Sequence, residues 1–222
     1  MTATGDPIPT GEPAPTDAPL GRDTNEFARV ANLSDAVFAI AMTLLVLTID
    51  VPDVAPDGLA SALRDDLPQL GAYALAFALV SSQWYAHHKL LRRVAWLDPR
   101  LVVVNLVYLA LVALVPFPTS VLGAYPTTTV AVAWFLALFV LLNLVYLLLI
   151  VHTHRIGAWT EGLPSAVFRR VVHGSLTAIA MLALGIVVSL WLPVVAIAMA
   201  ALSSTPYLLV MRGAPPRYRT WF

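Results

Sequence analysis

Apolar residues occur along the chain in six stretches separated by short polar connections. They are Leu33–Val51, Leu67–His87, Leu101–Leu122, Val130–Val151, Val171–Trp191 and Pro193–Met211. Each has about the length an α-helix needs to cross a hydrocarbon layer roughly 30 Å thick. The alternation of period two that marks a membrane β-barrel strand is absent. The fifth and sixth stretches are nearly continuous, split only at Trp191-Leu192-Pro193. Tryptophan there suits an interface and proline a first helical turn. The pattern predicts an all-α integral membrane protein with six transmembrane helices.

Polar and charged positions outside the stretches give the expected direction of the spans. The loops that alternate to one side of a six-span chain hold Arg22 and Arg29, then Lys89, Arg92, Arg93 and Arg100, then Arg155, Arg169 and Arg170, and finally Arg212, Arg217 and Arg219. These are twelve of the 13 basic residues. The other side has only Arg64, among Asp53, Asp57, Asp65 and Asp66. Basic loops stay in the cytoplasm, so both termini are expected there, with the protein multi-pass in a cell's inner (plasma) membrane and surrounded by lipid. Five or seven spans would scramble the partition.

Composition narrows the class further. The chain of 222 residues is 59% hydrophobic and 12% charged, against about 25% charged for a soluble domain. There is no cysteine, which excludes disulfides, thiolate metal sites and a thiol nucleophile. Zero net charge gives no reason to expect a nucleic-acid partner. Residues 1–25 hold Pro7, Pro9, Pro13, Pro15 and Pro19 and no apolar run. They read as a disordered cytoplasmic tail rather than a signal peptide. A six-helix domain over 26–212 and a short basic C-terminus over 213–222 complete the expected organisation.

Polar groups at membrane depth are costly and usually functional. Asp35 lies at the start of the first stretch, six residues after Arg29. Trp84, His87 and His88 close the second, and Asn105 opens the third. All fall at the cytoplasmic level, where one hydrogen-bonded cluster could tie three helices together. Alternatively, Asp35 caps the first helix and pairs with Arg29. At about 100° per residue, Ile40, Leu44, Leu47 and Val51 share one stripe of the first helix, with Leu33 and Ala36 extending it and Thr43 beside it. Asp35 lies roughly 140° away. Such a stripe could meet lipid, another helix or a pore.

Arg29-Val-Ala-Asn-Leu33-Ser34-Asp35 resembles the R-x-x-x-F-S-D motif that opens the first helix of the transmembrane protein 175 family of lysosomal and bacterial potassium channels. Leu33 stands where the motif has phenylalanine. The resemblance continues through Trp84-x-x-His87-His88, Asn105-Leu-Val-Tyr108-Leu and Pro116-Phe117-Pro118-Thr119, so it covers about Arg29 to Thr119. It implies a bacterial single-repeat member: a six-helix subunit of a homotetramer whose pore is lined by the first helix. It carries no Thr-Val-Gly-Tyr-Gly filter of the ordinary potassium-channel kind. The implied constriction is Ile40, with Leu44 and Leu47 further along. Thr43 is the implied contributor to ion preference, and K+ the permeant ion among the monovalent cations. Arg29, Ser34, Asp35, Trp84, His88 and Asn105 are implied to anchor the first helix and govern its movement.

Two other readings touch parts of the pattern. A proton-coupled secondary transporter could use Asp35 as carrier, although no internal repeat is visible and such folds commonly have one. An integral-membrane metalloenzyme could use the five histidines, His87, His88, His152, His154 and His173, all near the expected cytoplasmic face. The only nearby acids are Asp35, Asp98 and Glu161, fewer ligands than such a site needs. No hydrolase, P-loop or dinucleotide motif is present, so neither an enzyme nor a cofactor is expected.

Overall fold

The computed structural model describes residues 20–203. Residues 1–19 of the expected tail, the end of the sixth stretch and the basic C-terminus lie outside them. In chain order the elements are β1 (Leu20–Gly21), α1 (Asn25–Leu44, continued as a 3₁₀ turn over Leu45–Thr48), α2 (Leu59–Asp65), α3 (Leu67–Arg93), β2 (Trp96–Leu97), α4 (Pro99–Leu114), α5 (Pro116–Ala124), α6 (Thr129–Arg155), α7 (Ser165–Val188) and α8 (Pro193–Leu202). Four units are long and apolar enough to cross a membrane: Asn25–Thr48, Pro99–Ala124, Thr129–Arg155 and Ser165–Val188. The second expected span, α3, has 27 residues, but Gln69, Ser81, Ser82 and Gln83 dilute its hydropathy. The sixth is described only as the ten residues of α8.

Several boundaries differ from the sequence reading, each for a local reason. The first helix begins at Asn25, eight residues before the apolar stretch. Thr24 caps it, its Oγ1 accepting the Phe27 N–H at 3.2 Å. Hydrogen bonding and Phe27, buried on the inner face, extend the helix through residues that are not themselves apolar. The third stretch is two helices rather than one. Pro116 and Pro118 lack the N–H groups that would bond back one turn, so the α-helix stops at Leu114 and restarts. The expected tail ends earlier than Asn25: Leu20 and Gly21 pair antiparallel with Leu97 and Trp96. The short helix α2 was not foreseen.

The core is centred on α6, which packs on α4, α5, α7 and α8, while α1 packs on α3 and α4. Phe135, Leu136, Phe139, Leu142 and Ile150 of α6 are buried against these neighbours. Burial of the apolar windows is 44% in α6 and 22% in α1, so α1 is peripheral in the chain despite its hydropathy. Small residues permit close approach elsewhere. A Cβ on Gly123 of α5 would lie 3.1 Å from the Gln69 backbone of α3.

The basic loops meet at one end. The Arg22 guanidinium donates to the backbone carbonyls of Arg92 and Val94. Gly157 adopts φ 70° after α6, the left-handed turn that glycine permits at a helix C-terminus. The chain then runs alongside the α3–α4 connection, where Ala95 N–H donates to Ala158 and Thr160 N–H to Arg93. At the opposite end, Thr129 donates to the Ser189 carbonyl at 2.9 Å.

Candidate functional site

The polar cluster forms, in two branches on either side of α1. In the buried branch, Asn105 Nδ2 donates to Ser34 Oγ at 3.1 Å, and Ser34 donates to the Val30 carbonyl at 2.9 Å. Asn105 Oδ1 is then left to accept, and His87 Nε2 lies 2.7 Å from it. This direction of donation makes His87 the Nε2–H tautomer, with Nδ1 carrying a lone pair. Nδ1 is buried and has no hydrogen-bond partner among the described residues. The His87 ring stacks on Tyr108 at 5.2 Å, and Phe38 sits 5.7 Å from His87 and 5.9 Å from Tyr108. Tyr108 donates to Gln83 Oε1 at 3.1 Å, and Tyr146 of α6 donates to the Ala86 carbonyl at 3.0 Å. Four helices, α1, α3, α4 and α6, are joined in this way.

The second branch is more open. Trp84 Nε1 donates to Asp35 Oδ1 at 2.9 Å, and His88 Nδ1 stands 3.9 Å from the same oxygen. The Trp84 and His88 rings lie 5.5 Å apart, as their spacing of four on one helix face requires. The alternative role for Asp35 is therefore corrected. It does not cap α1, because Thr24 does, and it lies mid-helix with Trp84 as partner. Arg29 is exposed and makes no side-chain hydrogen bond or ion pair with Asp35 or with α3 among the described residues. The helix turns it away from the cluster, so its expected anchoring link is not made within one subunit. His87, whose type and depth were legible, is the centre of the buried branch. Phe38, Gln83 and Tyr146 were not foreseen, since nothing local marks them as its neighbours.

The opposite face of α1 is bare. Phe27, Ser34, Phe38, Ala41 and Leu45 face the core, while Ile40, Leu44 and Leu47 are 57%, 42% and 73% exposed. Thr43 is exposed among them, its hydroxyl 3.0 Å and 2.9 Å from the carbonyls of Ala39 and Ile40. That bond returns the proton to the helix and leaves lone pairs on the open side. A helix held along one face by polar and aromatic contacts, with aliphatics bare along the other, can present those aliphatics to lipid, a partner surface or a lumen.

The remaining histidines are dispersed. His152 Nε2 lies 2.9 Å from Asp98 Oδ2, His154 stacks on Phe168 at 3.8 Å, and His173 contacts the Arg169 carbonyl. No three potential ligands come together for a metal among the described residues. Asp98 also caps α4, its Oδ1 accepting the Leu101 N–H at 2.7 Å. Burial pushes the Asp98 carboxyl up, but the His152 and Leu101 hydrogen bonds outweigh burial and hold it below the ordinary value.

Comparison with known proteins places this geometry. The profile of the family described as endosomal/lysosomal potassium channel TMEM175 matches residues 29–116. A potassium channel of Streptomyces collinus is 44% identical over 102 residues, which is 46% of this chain and 50% of the relative. One of Chamaesiphon minutus is 41% identical over 106 residues, 46% of this chain and 52% of the relative. The chain thus aligns with about half the length of the curated relatives it matches. The crystal structure of a lysosomal potassium-selective channel TMEM175 homologue from Chamaesiphon minutus superposes with a TM-score of 0.74 at 27% identity, covering 84% of this chain and 98% of that one. The fold is that of an all-α, multi-pass membrane protein.

Proposed function

We propose that this chain, which belongs to the TMEM175 family through residues 29–116, forms a potassium-permeable cation channel and is not an enzyme. Four subunits surround a pore lined by α1, with Ile40, Leu44 and Leu47 as its constriction and K+ as the permeant ion. Both termini face the cytoplasm of a cell whose inner (plasma) membrane holds the tetramer, on the strength of the basic loops gathered at one end.

The observation that carries this reading is that the exposed aliphatic stripe of α1, Ile40, Leu44 and Leu47, falls where the resemblance implies the pore face, in a chain that superposes on a TMEM175 homologue. An exposed apolar stripe on a membrane helix meets lipid, a neighbouring subunit or a lumen, and the likeness to a potassium-selective channel favours the lumen. A ring of four Ile40 side chains excludes water when narrow and so gates by dewetting. Opening moves α1 so that Ile40 leaves the axis. Ser34 and Asp35, held by Asn105 and Trp84, set the position from which it moves. Thr43, with lone pairs on the open side, contributes to ion preference. No part of this scheme requires a bound cofactor or a metal other than the permeant ion.

In proteoliposomes with an outward K+ gradient, Ile40→Asn puts a wettable group in the ring. It is expected to raise K+ leak on the order of tenfold, since a hydrophobic gate closes by dewetting. Flux unchanged from the parent chain sinks the assignment of Ile40.

A further inference from the structure

The bare stripe of α1 does not end with its aliphatics. Continued toward the N-terminus at about 100° per residue, it reaches Arg29 roughly 20° to one side of Ile40 and Glu26 roughly 40° to the other. Both are exposed, and neither makes an ion pair among the described residues. They are three apart on one helix, a spacing that permits pairing within the helix, yet they do not pair. Arg29 also turns away from Asp35, the nearest acid of the polar cluster. Each α1 therefore carries, in line with the stripe, an unpaired acid to one side of the Ile40 direction and an unpaired base to the other, about one helical turn apart.

We propose that Glu26 of one subunit pairs with Arg29 of the next, closing a ring of four ion pairs at the cytoplasmic mouth; this rests on the tetrameric pore reading above. A four-fold ring is built from head-to-tail contacts, in which one flank of each subunit meets the opposite flank of its neighbour. Opposite charges on opposite flanks are what such a contact requires. Adjacent helices packed about 8–10 Å apart lie within the joint reach of a glutamate and an arginine. The ring sits about 16–21 Å along the axis from Ile40, clear of the hydrophobic closure. It has a second consequence for the permeant ion. Four unpaired guanidinium groups on the pore-facing stripe would repel cations at the mouth, and Glu26 neutralises them.

Charge exchange tests the pairing. Glu26→Arg and Arg29→Glu each place like charges against like, while the double exchange restores opposite ones. Tetramer content is read by native mass spectrometry over a dilution series in low salt, with K+ flux measured alongside. Each single variant is expected to raise the protein concentration at which tetramers dissociate by roughly tenfold, four exposed pairs each contributing modestly. The double exchange is expected to return it to within about threefold of the parent, with the difference shrinking in high salt. Glu26→Gln, which removes charge without adding repulsion, is expected to weaken assembly less than Glu26→Arg. Single variants that assemble like the parent overturn the proposal, and so does a double exchange no better than the worse single. Assembly is read without ion flux, so the two readings separate. Failed rescue with Ile40→Asn still leaking removes the ring and keeps the pore. Rescued assembly with flux unaffected by Ile40→Asn keeps the interface and removes the pore.

Discussion

Asn105 has two buried neighbours that depend on it. Its amide gives to Ser34 and receives from His87, and no other described side chain bonds either of those hydroxyl or Nε2 groups. Asn105→Leu keeps the branched shape, leaves His87 without a hydrogen-bond partner among the described residues, and leaves Ser34 with only the Val30 carbonyl. Unsatisfied buried groups cost about 1–3 kcal/mol each. The expected loss is about 1–3 kcal/mol, seen as a lower thermal unfolding temperature in detergent, and Ser34→Ala is expected to lose about 1 kcal/mol. An unfolding temperature that does not move in Asn105→Leu refutes the anchoring role. The sequence showed polar residues of the right types at the right depth. Which of them meet was partly legible: the spacing of four between Trp84 and His88 puts both on one face, and His87 falls about 100° away. That Asp35 takes the first face and Asn105 the second depends on how α1 and α4 dock on α3, which no local pattern encodes.

Among elements, α3 and α5 approach closely because Gly123 has no side chain to hold the helices apart. Adding a Cβ meets the Gln69 backbone at 3.1 Å, and backbone cannot swing aside as a side chain tip can. Gly123→Val is expected to cost about 1–3 kcal/mol by overpacking, measured as the same shift in unfolding temperature. Gly71→Ala on α3, where nothing lies within 4 Å of a Cβ, is the comparison that should leave packing intact. Hydropathy located α1, α6 and α7 to within a few residues at their apolar ends. It overran the α4–α5 break because Pro116 and Pro118 are apolar, and hydropathy does not register a missing N–H. It missed the start of α1 because Thr24 acts through a hydrogen bond.

At the scale of the molecule, the basic end is held by contacts between segments far apart in sequence. His152 and Asp98 join α6 to the start of α4 at 2.9 Å, beside the strand pairing of Leu20–Gly21 with Trp96–Leu97. The Asp98 carboxyl is held below its ordinary value of 3.8. A depressed carboxylate contributes stability that is present above 3.8 and is lost as pH falls through the lower folded value. Acidification below about pH 4 is thus expected to lower the unfolding temperature of the parent chain more than that of Asp98→Asn, in paired melts across pH 3 to 6. Parallel pH curves for the two proteins would show that the contact contributes nothing. The sequence by itself determined the membrane class, the helical spans and the gathering of arginines at one end, because length, hydropathy and charge are local sums that need no neighbour. Only the tertiary structure decided that α1 is clamped through Ser34 and Asp35 and bare along Ile40, Leu44 and Leu47. Apolar residues look alike in sequence, and packing against the other helices determines which of them are buried.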